Sequence, residues 1–259
     1  MRFRFSTIIL CIISVVMPSC VPWDDNTPTD AQGHRLVYRM EETDPNGFWG
    51  ERYTFHYTDD GILKRINNTR WNLHAGTTAN KDEFSRTIEI EQDRISIYAD
   101  GSLSRDPIAG ADLANGLIQN SFCIVNGIRY ECFYHYLPDG RLDSISGSTD
   151  AKIYWMDKLP IAYRQNSATR HPVNYWGNDK NTANMNLTSP FWGLDENLFF
   201  YGFENFCGLY ADFLVESCSS RKSGQTRYFN YTKDSQGNPT TITATTESGI
   251  ASTCTITYY

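Results

Sequence analysis

Residues 53–66 read YTFHYTDDGILKRI, residues 132–145 read CFYHYLPDGRLDSI, and a looser third copy, YFNYTKDSQGNPTTI, occupies 228–242. In the first two copies Phe55, His56, Tyr57, Gly61, Leu63 and Ile66 match Tyr134, His135, Tyr136, Gly140, Leu142 and Ile145. Alternating residues on both sides of an Asp-Gly pair signal a β-hairpin. Pro138 selects the turn. Its fixed φ suits the first central position of a type I turn, which puts Asp139 second and Gly140 in the left-handed region as a G1 bulge. The third copy reads as a longer loop, Lys233 to Gly237, that keeps the spacing from Gly237 to Ile242 and carries Asn230 where the others carry His. Tyr53, Phe55 and Tyr57 share one face of the first strand, and Thr54, His56 and Thr58 share the other. One side of such a hairpin packs and the other is wet.

The same pattern continues along most of the chain. RLVYRMEE (35–42), ERYTFHYT (51–58), ILKRINN (62–68), SRTIEIEQ (85–92) and RISIYA (94–99) are each bounded by turn residues. LIQNSFCIV (117–125), IRYECFYHY (128–136), RLDSISG (141–147) and AKIYWM (151–156) follow, and TRYFNYT (226–232), TTITATT (240–246) and STCTITYY (252–259) close the chain. This predicts a mainly β protein, an antiparallel up-and-down meander of about 12 strands forming a sandwich, barrel or half-barrel. Aromatic residues make up 14% of the chain, which suits pleated, half-buried surfaces. Residues 106–116 read as a short helix or a loop. Residues 165–222 are less regular, with helical turns expected near Asp195 to Phe200.

The N-terminus has a separate role. Arg2 and Arg4 precede an apolar run from Phe5 to Val16, too short to span a bilayer and suited to the core of a signal peptide. Ser19-Cys20 resembles a bacterial lipobox, which implies cleavage before Cys20 and a lipid on that thiol; the alternative is an ordinary secretory peptide. The expected organisation is a lipoprotein signal peptide over 1–19, a flexible tether over 20–34 and a single antiparallel β domain over 35–259. Asp24 and Asp25 resemble a surface-export signal that follows the lipidated Cys, and read equally as a solvated linker.

Net charge is −7, and no Lys/Arg cluster occurs along any segment, which argues against nucleic acid as a partner. Beyond Cys11 and Cys20 the cysteines are Cys123, Cys132, Cys207, Cys218 and Cys254, an odd number that no fully paired framework accommodates. An Asn126-Gly127 turn sets Cys123 diagonal to Cys132, beyond comfortable disulfide reach, so buried thiols are expected. His56 and His135 sit on the wet face of a duplicated hairpin without carboxylates at ligand spacing. Neither a metal nor a cofactor is expected.

The aromatic-x-Tyr-x-x-x-Gly-x-Leu-x-x-Ile hairpin resembles the YD-type repeat, although no Asp directly follows the Tyr. Lipobox, linker, hairpin meander, then Ala183-Asn184-Met185-Asn186-Leu187 with an aromatic-rich stretch and a closing hairpin resemble a Bacteroides lipoprotein family, domain of unknown function 4595. The resemblance covers most of 35–259. It implies a porin-like antiparallel barrel or half-barrel and brings no catalytic residues.

Candidate ligand-binding residues are Tyr175, Trp176, Phe191, Trp192 and Asn178, with Asn174, Asp179 and Asn184 nearby. Sugar rings stack on exposed aromatic faces while amides bind hydroxyls. The competing reading makes these rings the packing of a barrel end. Asp195 and Glu196 form a carboxylate pair of the kind glycan enzymes use, and read equally as N-terminal capping charge. A transmembrane barrel would need uniformly apolar strand faces, which RTIEIEQ (86–92) and RLDSIS (141–146) do not supply. The resulting expectation is a non-catalytic lipoprotein of the outer membrane or cell surface, exposed or periplasm-facing. It would be tied to the bilayer through Cys20 and bind glycan or another extracellular ligand. The alternative is a scaffold for an outer-membrane protein complex.

Overall fold

The computed structural model describes residues 28–73, 81–99, 106–166, 169–188, 191, 194, 198, 200–219 and 224–259. Cys20, the signal peptide and the first part of the tether therefore lie outside the described residues, as do Trp192, Asp195 and Glu196. Sixteen strands follow in chain order: β1 (Val37–Thr43), β2 (Trp49–Tyr57), β3 (Leu63–Leu73), β4 (Lys81–Ile90), β5 (Arg94–Ala99), β6 (Ala109–Ala114), β7 (Leu117–Val125) and β8 (Ile128–Tyr136). The second half comprises β9 (Leu142–Gly147), β10 (Ala151–Met156), β11 (Leu159–Gln165), β12 (Arg170–Lys180), β13 (Phe213–Ser219), β14 (Thr226–Lys233), β15 (Pro239–Thr246) and β16 (Gly249–Tyr258). Each pairs antiparallel with its chain neighbour, and β1 returns to β16 with Met40 opposite Ile256, so the sheet closes into a barrel.

The meander is thus longer than about 12 strands, and it is a full barrel. Four strands were hidden from the sequence. β6 lies within 106–116, expected as helix or loop. Asn115 and Gly116 both take positive φ, 53° and 76°, which makes a tight hairpin turn into β7. Gly110 permits close approach there, since a Cβ would fall 2.5 Å from the Ile95 carbonyl oxygen. β11 and β12 contain Pro160 and Pro172, and β12 and β13 are offset by two irregularities in their pairing. Proline and broken alternation weaken the periodicity on which a strand is recognised.

The repeated turns form as the sequence predicts. Gly61 and Gly140 have φ of 75° and 84°; their N–H groups donate to Thr58 and Leu137 carbonyls at 3.0 Å, with a bulge directly before each turn. The third copy is not longer. Gly237 donates to the Asp234 carbonyl at 3.1 Å, and Lys233 opposes Pro239 as Tyr57 opposes Leu63. Thr232, not Asn230, therefore occupies the position of His56 and His135. A further turn of this type, Asp30–Gly33, lies within the segment read as tether: Gly33 donates to Asp30 at 3.0 Å, and Thr29 bridges Arg35. It docks on the first repeat, where a Cβ on Gly61 would fall 2.8 Å from the Thr29 carbonyl.

The barrel encloses its own chain. Between β12 and β13, the described residues of the connection lie in the lumen and bury Ala183, Met185, Leu187, Phe191, Phe200, Phe203 and Leu209 against the inward rows of the strands. Phe200 meets Phe203 edge-on at 5.9 Å, and Phe203 reaches Tyr134 at 6.4 Å. Irregular backbone inside a barrel needs hydrogen-bond partners, and asparagines supply them. Asn181 Nδ2 donates to the Met185 carbonyl at 2.9 Å and Asn186 Nδ2 to the Leu209 carbonyl at 3.1 Å, while Asn186 Oδ1 accepts from Ala211 N at 3.0 Å. A short 3₁₀ turn, Phe203–Cys207, lies within this segment.

The outer wall is rich in charged and hydroxyl side chains. Arg65–Glu89, Arg52–Glu41, Arg129–Glu131 and Lys152–Asp143 pair across it, and Thr253, Thr255 and Thr257 line β16. Charged and hydroxyl side chains therefore face outward, with exposed Tyr38, Ile124 and Phe133 among them, while the fully buried aliphatic and aromatic rows face inward, the opposite bias to the apolar-out, polar-in pattern of membrane barrels.

Candidate functional site

β12 divides the predicted ligand residues between two environments. Val173 and Tyr175 point inward, and Tyr175 donates its hydroxyl to the Pro160 carbonyl at 3.1 Å. Burial, with Glu204 nearby, pushes that hydroxyl well above the usual phenol range. Phe191 is 1% exposed and meets Tyr163 edge-on at 5.8 Å, deep in the core. Asn184 is buried too, its Oδ1 accepting from Val37 N at 3.2 Å. These three residues hold the fold, so the expected single platform does not form.

Trp176 and Asn178 emerge on the outer wall. A bulge between Asn174 and Tyr175 breaks the register there, and the Trp176 indole leans across β13 to donate to the Phe229 carbonyl at 3.3 Å. That bond brings the indole nitrogen to the β14 backbone between Tyr228 and Asn230, both outward and exposed. Trp176 keeps 38% and Tyr228 48% of its surface in solvent, while the inward rings Tyr163, Phe191 and Phe229 are buried. Around them lie Asn174, bonded to Ser217 Oγ at 2.9 Å, and Thr245, whose hydroxyl donates to the Tyr228 carbonyl at 3.5 Å. Asp179 is engaged with Lys233 at 3.0 Å at the lower edge. The result is a shelf of two half-open aromatic rings bordered by amides and hydroxyls. Tyr228 escaped the sequence reading; its signal was the alternation of the third repeat, which sends Phe229 inward and both of its neighbours outward.

A second polar centre, also missed, lies inside the barrel at the end opposite the repeated turns. Glu51 is 4% exposed and accepts from Tyr53 Oη at 2.8 Å, Asn68 Nδ2 at 3.0 Å and both Arg70 contacts at 3.2 Å. Arg86 binds Asn68 Oδ1 at 3.0 Å and stands 3.7 Å from the same carboxylate. Directly opposite on β1, Glu42 accepts from Ser252 Oγ at 2.6 Å and Tyr201 Oη at 3.3 Å. Burial, followed by the neighbouring carboxylates, drives the Tyr53 and Tyr201 hydroxyls far up, so both remain donors. Every carboxylate oxygen is occupied. The cluster ties the end of the core together and offers a ligand no open acceptor.

His56 and His135 lie on the outer wall, bonded to Asn67 at 3.0 Å and Ser146 at 2.8 Å. Among the described residues no three His, Cys, Asp or Glu side chains gather as metal ligands. The five thiols are buried and no disulfide joins them; Cys123 opposes Tyr130 and Cys132 opposes Ser121, the diagonal arrangement expected from the Asn126-Gly127 turn.

No family model and no curated protein matches the chain. Among solved structures, the chain is similar to a porin-like protein from Bacteroides uniformis at 15% identity, over 86% of this chain and 98% of that one, with a TM-score of 0.59. A porin-like protein from Bacteroides vulgatus aligns at 14% identity over 86% and 99% of the two chains, with a TM-score of 0.33. The first likeness establishes the porin-like barrel fold.

Proposed function

We propose that the chain is an exported, non-catalytic lipoprotein that binds glycan on the outer wall of a filled, water-facing barrel. The Trp176–Tyr228 shelf carries this reading. Trp176 and Tyr228 expose large ring faces that a sugar face can cover, beside amides and hydroxyls rather than beside other apolar side chains. Asn174, Asn178 and Asn230 supply amide groups for hydroxyls. The positively charged start, the apolar run and Ser19-Cys20 support export and a lipid on Cys20. The hairpin repeat and the porin-like fold support membership in the lipoprotein family of domain of unknown function 4595. An outer-membrane or cell-surface address follows from that anchor, with the polar wall in water. The test is affinity electrophoresis of the mature chain through polysaccharide gels, with Trp176→Ala as control. Retardation lost in the variant supports the reading, and no retardation in any polysaccharide contradicts it. Radiolabelled palmitate incorporation, abolished by Cys20→Ala, tests the anchor separately.

A second reading, a scaffold for an outer-membrane complex, draws on the β7–β8 hairpin. Ile124, Val125, Ile128 and Tyr130 are all more than a third exposed at its tip. That tip lies at the end of the barrel away from the Asp30–Gly33 turn, hence away from a membrane reached through the N-terminus.

A further inference from the structure

The outward face of β12 carries a second feature above the shelf. Arg170 lies directly opposite Arg164 of β11, and Arg164 lies directly opposite Lys152 of β10. All three point outward, because Ile153, Tyr163 and His171, their chain neighbours, are buried inside. Neighbouring strands stand about 4.8 Å apart, so the three cations form a row about 10 Å across. Only one is compensated: Lys152 Nζ pairs with Asp143 Oδ1 at 2.5 Å. The Arg170 guanidinium lies 4.0 Å from the centre of the Tyr154 ring, and Arg164 is exposed. Among the described residues neither arginine has a carboxylate partner.

Like charges directly opposite each other weaken a strand pair, so this row does nothing for the sheet. It is also out of keeping with a chain of net charge −7. We infer that the row Lys152–Arg164–Arg170 is the anion-recognising part of the glycan site, and that the ligand is an acidic polysaccharide bearing carboxylate or sulfate groups. This inference rests on the glycan reading of the Trp176 shelf, which lies on the same outward face of the same strand. Residues 170 to 176 span about 20 Å of strand at most, a distance one extended oligosaccharide bridges. Guanidinium groups grip carboxylates and sulfates through paired N–H donors. Tyr154 holds the Arg170 plane from one side and leaves its N–H edges toward solvent. Nucleic acid fits less well, since its continuous charge would extend beyond a row only three cations wide on a chain of net charge −7.

The experiment titrates the mature chain with three probes: polygalacturonate, the same polymer after reduction of its carboxyl groups, and duplex DNA. Trp176→Ala is compared with the double variant Arg164→Gln/Arg170→Gln, which removes like-charge repulsion and is expected to melt no lower than the parent. The expected result is polygalacturonate binding about tenfold weaker in the double variant and in about 0.5 M salt, with the reduced polymer unaffected by either change. Trp176→Ala weakens both polymers. Equal affinity for the two polymers, unchanged by the double variant, overturns the acidic-glycan inference and leaves the glycan reading standing. Binding to neither polymer overturns both. DNA binding as tight as polygalacturonate, lost in the double variant, overturns the inference in favour of general polyanion attraction.

Discussion

The two faces of this barrel wall follow opposite rules, and β12 shows both within four residues. Val173 and Tyr175 face a lumen where every described ring is packed and every buried carboxylate of the Glu42–Glu51 cluster is bonded. Asn174 and Trp176 face water. In a membrane barrel the apolar rows would face lipid and the polar rows a channel. Here the inward face is covered by Ala183, Met185, Leu187, Phe200, Phe203 and Leu209 of the β12–β13 connection and holds the fold, and the outward face carries no such covering among the described residues. A porin-like topology therefore fixes strand order and leaves open which face does the work.

The inner face should be costly to alter and the outer face cheap. Phe203→Ala removes a ring 2% exposed that touches Phe200 and Tyr134, and it should lower stability by about 3–5 kcal/mol in urea titrations. Glu51→Ala leaves the largely buried Arg86, Asn68 and Tyr53 without their acceptor and should cost about 3 kcal/mol. If either change were neutral, the filled interior would not be what holds the barrel. Among the repeated turns, Gly237→Ala should cost about 1 kcal/mol through its positive φ alone, since nothing lies within 4 Å of the added Cβ. Gly61→Ala should cost more, because its Cβ meets the Thr29 carbonyl. Equal costs would mean that the Asp30–Gly33 turn does not dock. Trp176→Ala should shift stability by no more than about 0.5 kcal/mol while abolishing polysaccharide retardation.

The interior also sets a limit at high pH. Burial pushes the Cys218 thiol up to about 11 from an ordinary value of 9.0. The unfolded thiol ionises first, so the contribution of the neutral buried form is full below pH 9.0 and is lost as pH rises toward about 11. Cys218→Ser or Cys218→Ala should flatten that part of the stability profile, measured by urea midpoints across the window.

Much of the fold was legible because the hairpin is local. Phe55, Gly61 and Ile66 announce strand, turn and strand within one short stretch, and the second copy repeats it. What was hidden depends on register between strands. Arg164 and Arg170 flank a loop, and Lys152 lies a strand away, so their row exists only once β10, β11 and β12 are paired. No run of cations along the chain betrays it. Glu42, Glu51, Arg70 and Arg86 are likewise scattered over four strands and meet only on the inward face. Tyr175 and Trp176 are adjacent letters sent to opposite faces by alternation and a bulge. Composition marked that stretch as a candidate, and pairing decided which half of it reaches the outer wall.

Whether the barrel is filled and its wall faces water is decided by adding the mature chain with Cys20→Ala to planar lipid bilayers after purification without detergent. A filled barrel with a polar wall should be monodisperse in buffer and give no conductance at any applied voltage. Aggregation relieved only by detergent, together with stable single-channel steps, would contradict it.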